Sequence, residues 1–276
     1  MEAWWEYLML MPVGLLAGAG GGLLGIGGSV VVIPAMALLF GHEKEHLYQA
    51  TAMIVNFFVV TPAVIRHRRA KATFRPMTRF MVPGAVVGVL AGVYLSDLPV
   101  FRGAGQGYLQ VMFALFLGYV VGHNLWRLWH KRKRRDRNES DSARFSKPSI
   151  FGIVGLPGGT LSGLLGIGGG TYLVPAQQVC FKVPIRNAVA NSATTILWSS
   201  VVGAIAKSGS LTIHGYSWSQ AVLMAVFLIP TAMVGSWYTA GKVHQWPVGV
   251  IRVAFVALLL YCGTRMFMMG WVQAAG

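Results

Sequence analysis

The heptapeptide Gly-Leu-Leu-Gly-Ile-Gly-Gly occurs twice, at Gly22 to Gly28 and at Gly163 to Gly169, and a Pro-Ala pair follows each copy, Pro34-Ala35 and Pro175-Ala176. Flanking positions correspond too: Gly14 with Gly155, Ala50-Thr51-Ala52-Met53 with Ala190-Asn191-Ser192-Ala193, and Pro83 and Gly88 with Pro230 and Gly235. The chain is an internal duplication. The first copy crowds Gly20, Gly21, Gly22, Gly25, Gly27 and Gly28 together, and each interior glycine costs a helix ~1 kcal/mol against alanine. A helix running into either copy has to break there.

Composition decides the solvent in which those breaks sit. With 55% hydrophobic and 11% charged residues and a mean hydropathy of +0.58, a soluble globular domain is excluded. Apolar stretches run from about Trp4 to Phe40, Leu47 to Ile65, Met77 to Leu95, Tyr108 to Trp126, Ile150 to Phe181, Ala188 to Ile205, Trp218 to Thr239 and Val248 to Met269. Several match the roughly 20 residues of a spanning helix. The expected fold is an all-α polytopic membrane protein of two inverted repeats, residues 1–130 and 149–276, joined by a basic linker, 131–148. Each repeat holds a glycine-broken helical hairpin plus three transmembrane helices. The start, Met1-Glu2-Ala3-Trp4-Trp5-Glu6, lacks the positive region of a secretory signal and reads as a retained first membrane segment.

The net charge of +15 does not point to nucleic acid, because nine of the basic residues fall between Arg127 and Lys147. A cytoplasmic tether drawn to anionic lipid headgroups accounts for them. The loop Arg66 to Arg79 is also basic and lies two apolar segments away, so both belong on the cytoplasmic side. Lys182, Arg186 and Lys242 then fall inside, leaving Lys44, Arg102, Lys207 and Arg265 on or near the outer face. Each half crosses an odd number of times, so the halves are inverted relative to each other. This holds whether the hairpin spans fully or re-enters. The arm Ser29 to Phe40 would be about 18 Å long as a helix, against a hydrocarbon core of about 30 Å, which favours a re-entrant or broken element.

Resumption of the helix at Ser29 is expected to leave free backbone N–H groups at the positive end of a helix dipole, with the serine hydroxyl available as a cap. Gly168, Gly169, Gly170 and Thr171 offer the same in the second half. Inversion would bring the two tips together and form an anion site of backbone donors and hydroxyls. The competing use of such glycines is close helix packing, which is assigned to the four-spaced series Gly14, Gly18, Gly22; Gly84, Gly88, Gly92; and Gly155, Gly159, Gly163. The formal dinucleotide pattern Gly20-x-Gly22-x-x-Gly25 has no preceding strand and is dismissed.

Polar residues inside apolar segments pair or face a cavity. Thr51, Asn56 and Thr61 lie in the third element; Asn187, Asn191, Ser192, Thr194, Thr195, Ser199 and Ser200 lie in its repeat partner. Interhelical bonding and pore lining are both open for them, as for Gln177 and Gln178. His123, Asn124 and Arg252 lie near segment ends and are expected to snorkel. No Asp or Glu stands deep in a segment, which speaks against a carboxylate proton relay and a cation site. Cys180 and Cys262 carry no disulfide or metal spacing, and no cofactor is expected.

The twin blocks, each followed by a Thr/Ser-containing helix, resemble the sulfite exporter TauE/SafE family of membrane permeases across nearly the whole chain. The resemblance implies transport of sulfur-containing anions such as sulfite and organosulfonates. It places the family's glycine motif on Gly22, Gly25, Gly27, Gly28 and Pro34, and on Gly163, Gly166, Gly168, Gly169 and Pro175. The Thr-Ser pair that comes after it reads Thr51-Ala52 and Asn191-Ser192 here, a departure that leaves the anion open. The expected substrate-binding set is Gly25, Gly27, Gly28, Ser29, Thr51, Gly166, Gly168, Gly169, Gly170, Thr171, Asn191 and Ser192. The competing reading is a non-transporting scaffold or an intramembrane hydrolase; Ser29 and Ser162 lie near glycines, but no deep histidine or carboxylate stands out as a partner.

Overall fold

The computed structural model describes residues 7–25, 27–41, 43–129, 147–242 and 248–275. The basic linker expected at 131–148 falls almost wholly outside them, as do Trp4 and Trp5. In the first half, α1 (Leu10–Leu24), α2 (Ser29–Phe40), α3 (Glu45–Arg69), α4 (Arg75–Ser96) and α5 (Gln106–Trp129) follow one another. In the second, a π-helical turn, Ile150–Gly155, leads into α6 (Leu156–Leu165), then α7 (Gly170–Cys180), α8 (Ile185–Ser210), α9 (Trp218–Lys242) and α10 (Val248–Ala275). The protein is all-α and polytopic, and among the described residues five helical segments are long and apolar enough to cross a membrane.

The breaks lie where the glycines put them. Gly25 and Gly27 have φ of 64° and 83°, and Gly166, Gly168 and Gly169 have φ of 72°, 70° and 73°. This left-handed region costs an L-residue with a side chain roughly 1–2 kcal/mol, so only glycine enters it readily. The C-caps are alike: Gly25 N–H donates to Gly21 O, and Gly166 N–H to Ser162 O. The returning arms, α2 and α7, hold 12 and 11 residues, too short to cross a hydrocarbon core of about 30 Å. Both breaks are buried within the protein, the condition under which irregular backbone is tolerated at membrane depth.

The main helix pairs map onto one another when the halves are exchanged. α1 lies on α9 and α6 on α4; α3 meets α8 and α5 meets α10; α3 meets α9 as α8 meets α4. The two halves thus interlock, and each of two buried apolar clusters draws on both. The four-spaced glycines make it possible: a Cβ on Gly18 would strike Ala232 O, one on Gly159 Ala85 O, and one on Gly88 Leu156 O. Side chains such as Leu90, Ile205, Val234 and Trp271 are exposed, as expected of a lipid-facing belt.

Candidate functional site

The two glycine tips meet at Asn56 of α3. Its Oδ1 accepts the N–H groups of Gly28 (2.8 Å) and Ser29 (3.1 Å), and its Nδ2 donates to Ser29 Oγ at 3.0 Å. The same amide lies against the second tip, where a Cβ on Gly168 would stand 2.7 Å from Asn56 Nδ2. Asn56 is fully buried. The expectation of free N–H groups and a serine cap at the first tip is therefore corrected. A side chain 28 positions away caps α2, and the serine hydroxyl accepts from that cap instead of providing it.

The second tip is built differently, because the repeat equivalent of Asn56 is Ile196, which has nothing to offer an N–H group. Among the described residues no acceptor meets the N–H of Gly169, Gly170 or Thr171. The hydroxyls of Thr171 and Ser162 are buried without a hydrogen-bond partner, and Ser162 packs against Gly169. The start of α7 is thus a buried cluster of unused donors at the positive end of a helix dipole.

The remaining expected residues distribute around these tips. Gly25 packs on Val189 of α8, and Gly166 on Gln49 of α3, a pair of contacts related by the repeat. Ser192 Oγ donates to Gly25 O at 3.2 Å, which brings it to the first tip. Thr51 and Asn191 instead join helices: Thr51 Oγ1 donates to Leu47 O and Ala221 O, while Asn191 accepts Phe74 N–H at 2.8 Å and donates to Gln177 Oε1 at 3.0 Å. Gln177 is tied further to Leu173 O and Ala188 O. The side chains of His123, Asn124, Arg252 and Cys262 lie outside the described set; Cys180 is free.

A second polar cluster forms at helix ends, where Glu45 opens α3 and Lys207 stands in the last turn of α8. Glu45, His46, Gln49 and Lys207 are fully buried. Lys207 Nζ meets Ser96 Oγ (2.6 Å), His46 Nδ1 (2.9 Å) and Asp97 Oδ1 (3.3 Å), and His214 Nε2 meets Asp97 Oδ1 at 3.0 Å. His46 and His214 stack with centroids 3.6 Å apart. Burial alone would raise the Asp97 carboxyl, but the His214 hydrogen bond and the Lys207 charge hold it down at about 2. His46, Asp97 and His214 have the grouping of metal ligands, yet the Lys207 ammonium already holds the cation position among them. Glu45, Gln49 and Asn56 follow one another along α3 and link this cluster to the tips. Hydropathy placed Glu45 and Lys207 at segment ends; only the fold covers them.

Residues 10–266 match the family described as Sulfite exporter TauE/SafE. Among curated proteins the chain is 25% identical to "Probable membrane transporter protein MamO" of Paramagnetospirillum magneticum, over 93% of this chain and 44% of that one. It is 27% identical to "Probable membrane transporter protein YunE" of Bacillus subtilis, over 93% and 96% of the two chains. A "Probable membrane transporter protein" of Haemophilus influenzae is 23% identical over 95% and 98%. The chain spans less than half the length of the MamO proteins. No solved structure matches it significantly.

Proposed function

Because the chain belongs to the sulfite exporter TauE/SafE family, we propose that it transports small sulfur-containing anions, such as sulfite or organosulfonates, out of the cell by alternating access around the two glycine breaks. The observation that carries this reading is the second tip. Its free N–H groups at Gly169, Gly170 and Thr171 and the unpartnered hydroxyls of Thr171 and Ser162 are buried donors, the complement of an oxyanion. Asn56, standing between the tips, keeps the first closed by its own amide and faces the second with a donor.

In this reading the halves are inverted in the cell membrane, the termini lie outside, and the Arg66 to Arg79 loop and central linker lie inside. Export then needs no coupling ion. A membrane potential contributes about 2.3 kcal/mol per elementary charge per 100 mV, and an anion leaving a negative interior runs downhill. The test is radiolabelled flux of a panel of sulfur oxyanions and sulfonates in proteoliposomes. Potential-driven flux of at least one supports the reading; absence of flux across the panel returns the chain to a scaffold role.

A further inference from the structure

The connection between α3 and α4 borders a cavity of about 590 Å³ lined by Arg68, Lys71, Thr73, Arg75, Thr78 and Thr194. Three of the six are cations and none is an acid. Among the described residues Arg68, Lys71 and Arg75 form no ion pair, and Thr73 Oγ1 is buried without a partner. The loop is pinned from α8: Asn187 Nδ2 donates to Ala72 O (2.9 Å) and Asn191 Oδ1 accepts Phe74 N–H (2.8 Å). The cations are therefore presented from a braced backbone.

Lys71 adds an independent observation. It has φ of 51° in the turn that ends α3, where Ala70 N–H bonds Arg66 O and Ala72 N–H bonds His67 O. Glycine usually fills such a position, and a side chain there strains the backbone. A strained backbone that keeps a cation at a cavity wall points to a use for that cation. The opposite wall is Thr194, one turn beyond Asn191, whose amide holds Gln177 of α7. Through α8 the cavity wall is thus joined to the arm that carries the second tip.

We propose that this cavity captures a small oxyanion, of the sulfite, sulfonate or phosphate type, before it passes to the tips. Onward passage of the anion rests on the transport reading; capture itself stands without it. Guanidinium groups pair with two oxygens of such an anion at once, the lysine adds a point charge, and the Thr73 hydroxyl is available as a further donor. A recess lined by one sign of charge raises the local concentration of its counter-ion and speeds encounter. The phosphate of an anionic lipid has the same chemistry, so the test has to separate the two sources.

The experiment measures radiolabelled sulfite flux in oriented proteoliposomes, supplied from the loop side or from the opposite side. Arg68→Gln/Lys71→Gln/Arg75→Gln is expected to raise KM from the loop side about tenfold at low salt, with turnover at saturation unchanged, KM from the far side unchanged, and the difference shrinking at high salt. Lys71→Gly is expected to raise Tm through release of backbone strain while still raising that KM severalfold, an outcome that a structural role for Lys71 does not produce. An unchanged KM, or an equal rise from both sides, overturns the proposal. So does a loop-side effect that appears only in vesicles containing phosphatidylglycerol and not in pure phosphatidylcholine, which assigns the cavity to lipid. Calorimetric titration of sulfite into purified protein keeps the two readings apart: binding lost in the triple variant, with no wild-type flux of any anion, upholds the cavity and removes the transport reading.

Discussion

Asn56 Oδ1 accepts the backbone N–H of Gly28 at 2.8 Å, so that a residue in the middle of α3 caps a helix that begins in the preceding hairpin. Truncation of the amide leaves two buried N–H groups without an acceptor, and each such orphan costs about 1–3 kcal/mol. Asn56→Ala is therefore expected to lower stability by at least about 2 kcal/mol, read as a loss of Tm in detergent. Asn56→Asp keeps the acceptor but sets a negative charge between the tips. It is expected to stay monodisperse and to lose at least about tenfold in anion flux, a factor equal to about 1.4 kcal/mol.

The glycines of the two tips are not equivalent. Gly28 has φ of −88°, and a Cβ there would stand 3.3 Å from Ala17 Cβ and Val59 Cγ2, a tight fit that side-chain movement can relieve. Gly169 has φ of 73°, and its Cβ would strike Gly158 O. Gly28→Ala is expected to cost about 1 kcal/mol and Gly169→Ala about 3 kcal/mol or more. Equal Tm losses would mean that the tip backbones are alike after all.

Asp97 makes a prediction in pH. Its folded value of about 2 lies below the ordinary carboxylate value of about 3.9. The stability from its ionisation is therefore fully present above about pH 4 and is lost as pH falls toward 2. Asp97→Asn is expected to remove that acid-side step from a plot of Tm against pH. At neutral pH it leaves Lys207 fully buried without its carboxylate, which is expected to cost about 3 kcal/mol. Asp97→Asn/Lys207→Met is expected to recover much of that loss; a double variant no more stable than the single would show that Lys207 is held by Ser96 and His46 alone.

What the sequence made legible and what it hid divide along chain separation. The breaks at Gly25 to Gly28 and Gly166 to Gly169, and the arm Ser29–Phe40, follow from local backbone rules that a repeated glycine motif states directly. The capping of Gly28 by Asn56 does not, nor does the packing of Gly166 on Gln49 or the pairing of Lys207 with Asp97 across 110 residues. These contacts depend on how the halves interlock. Glu45 and His46 were hidden for a related reason: charge marks segment ends in a hydropathy profile, while here α3 starts at Glu45 and the connection after α4 covers it, with His46 Nε2 bonded to Phe101 O. The cavity beside Lys71 was visible only as a run of positive charge, because its wall on α8 lies more than a hundred residues away.

The last prediction concerns which anion the second tip prefers. Its donors are backbone N–H groups and hydroxyls, and no Lys or Arg is hydrogen-bonded to either tip among the described residues. A helix N-terminus supplies roughly half a positive charge, and favourable partly buried geometry yields up to ~2 kcal/mol. Since Asn56 occupies the first tip's N–H groups, one dipole faces the anion, enough to offset part of a single charge and far too little for two. A monoanion such as hydrogen sulfite or methanesulfonate is therefore expected to bind more tightly than sulfate. The measurement belongs in the Arg68→Gln/Lys71→Gln/Arg75→Gln variant, where the basic cavity no longer contributes. There sulfite binding should weaken as rising pH removes its proton, while methanesulfonate, which has no proton to lose, stays nearly flat. Tighter binding of sulfate than of methanesulfonate in that variant would place a basic side chain at the tip and overturn the neutral-donor site.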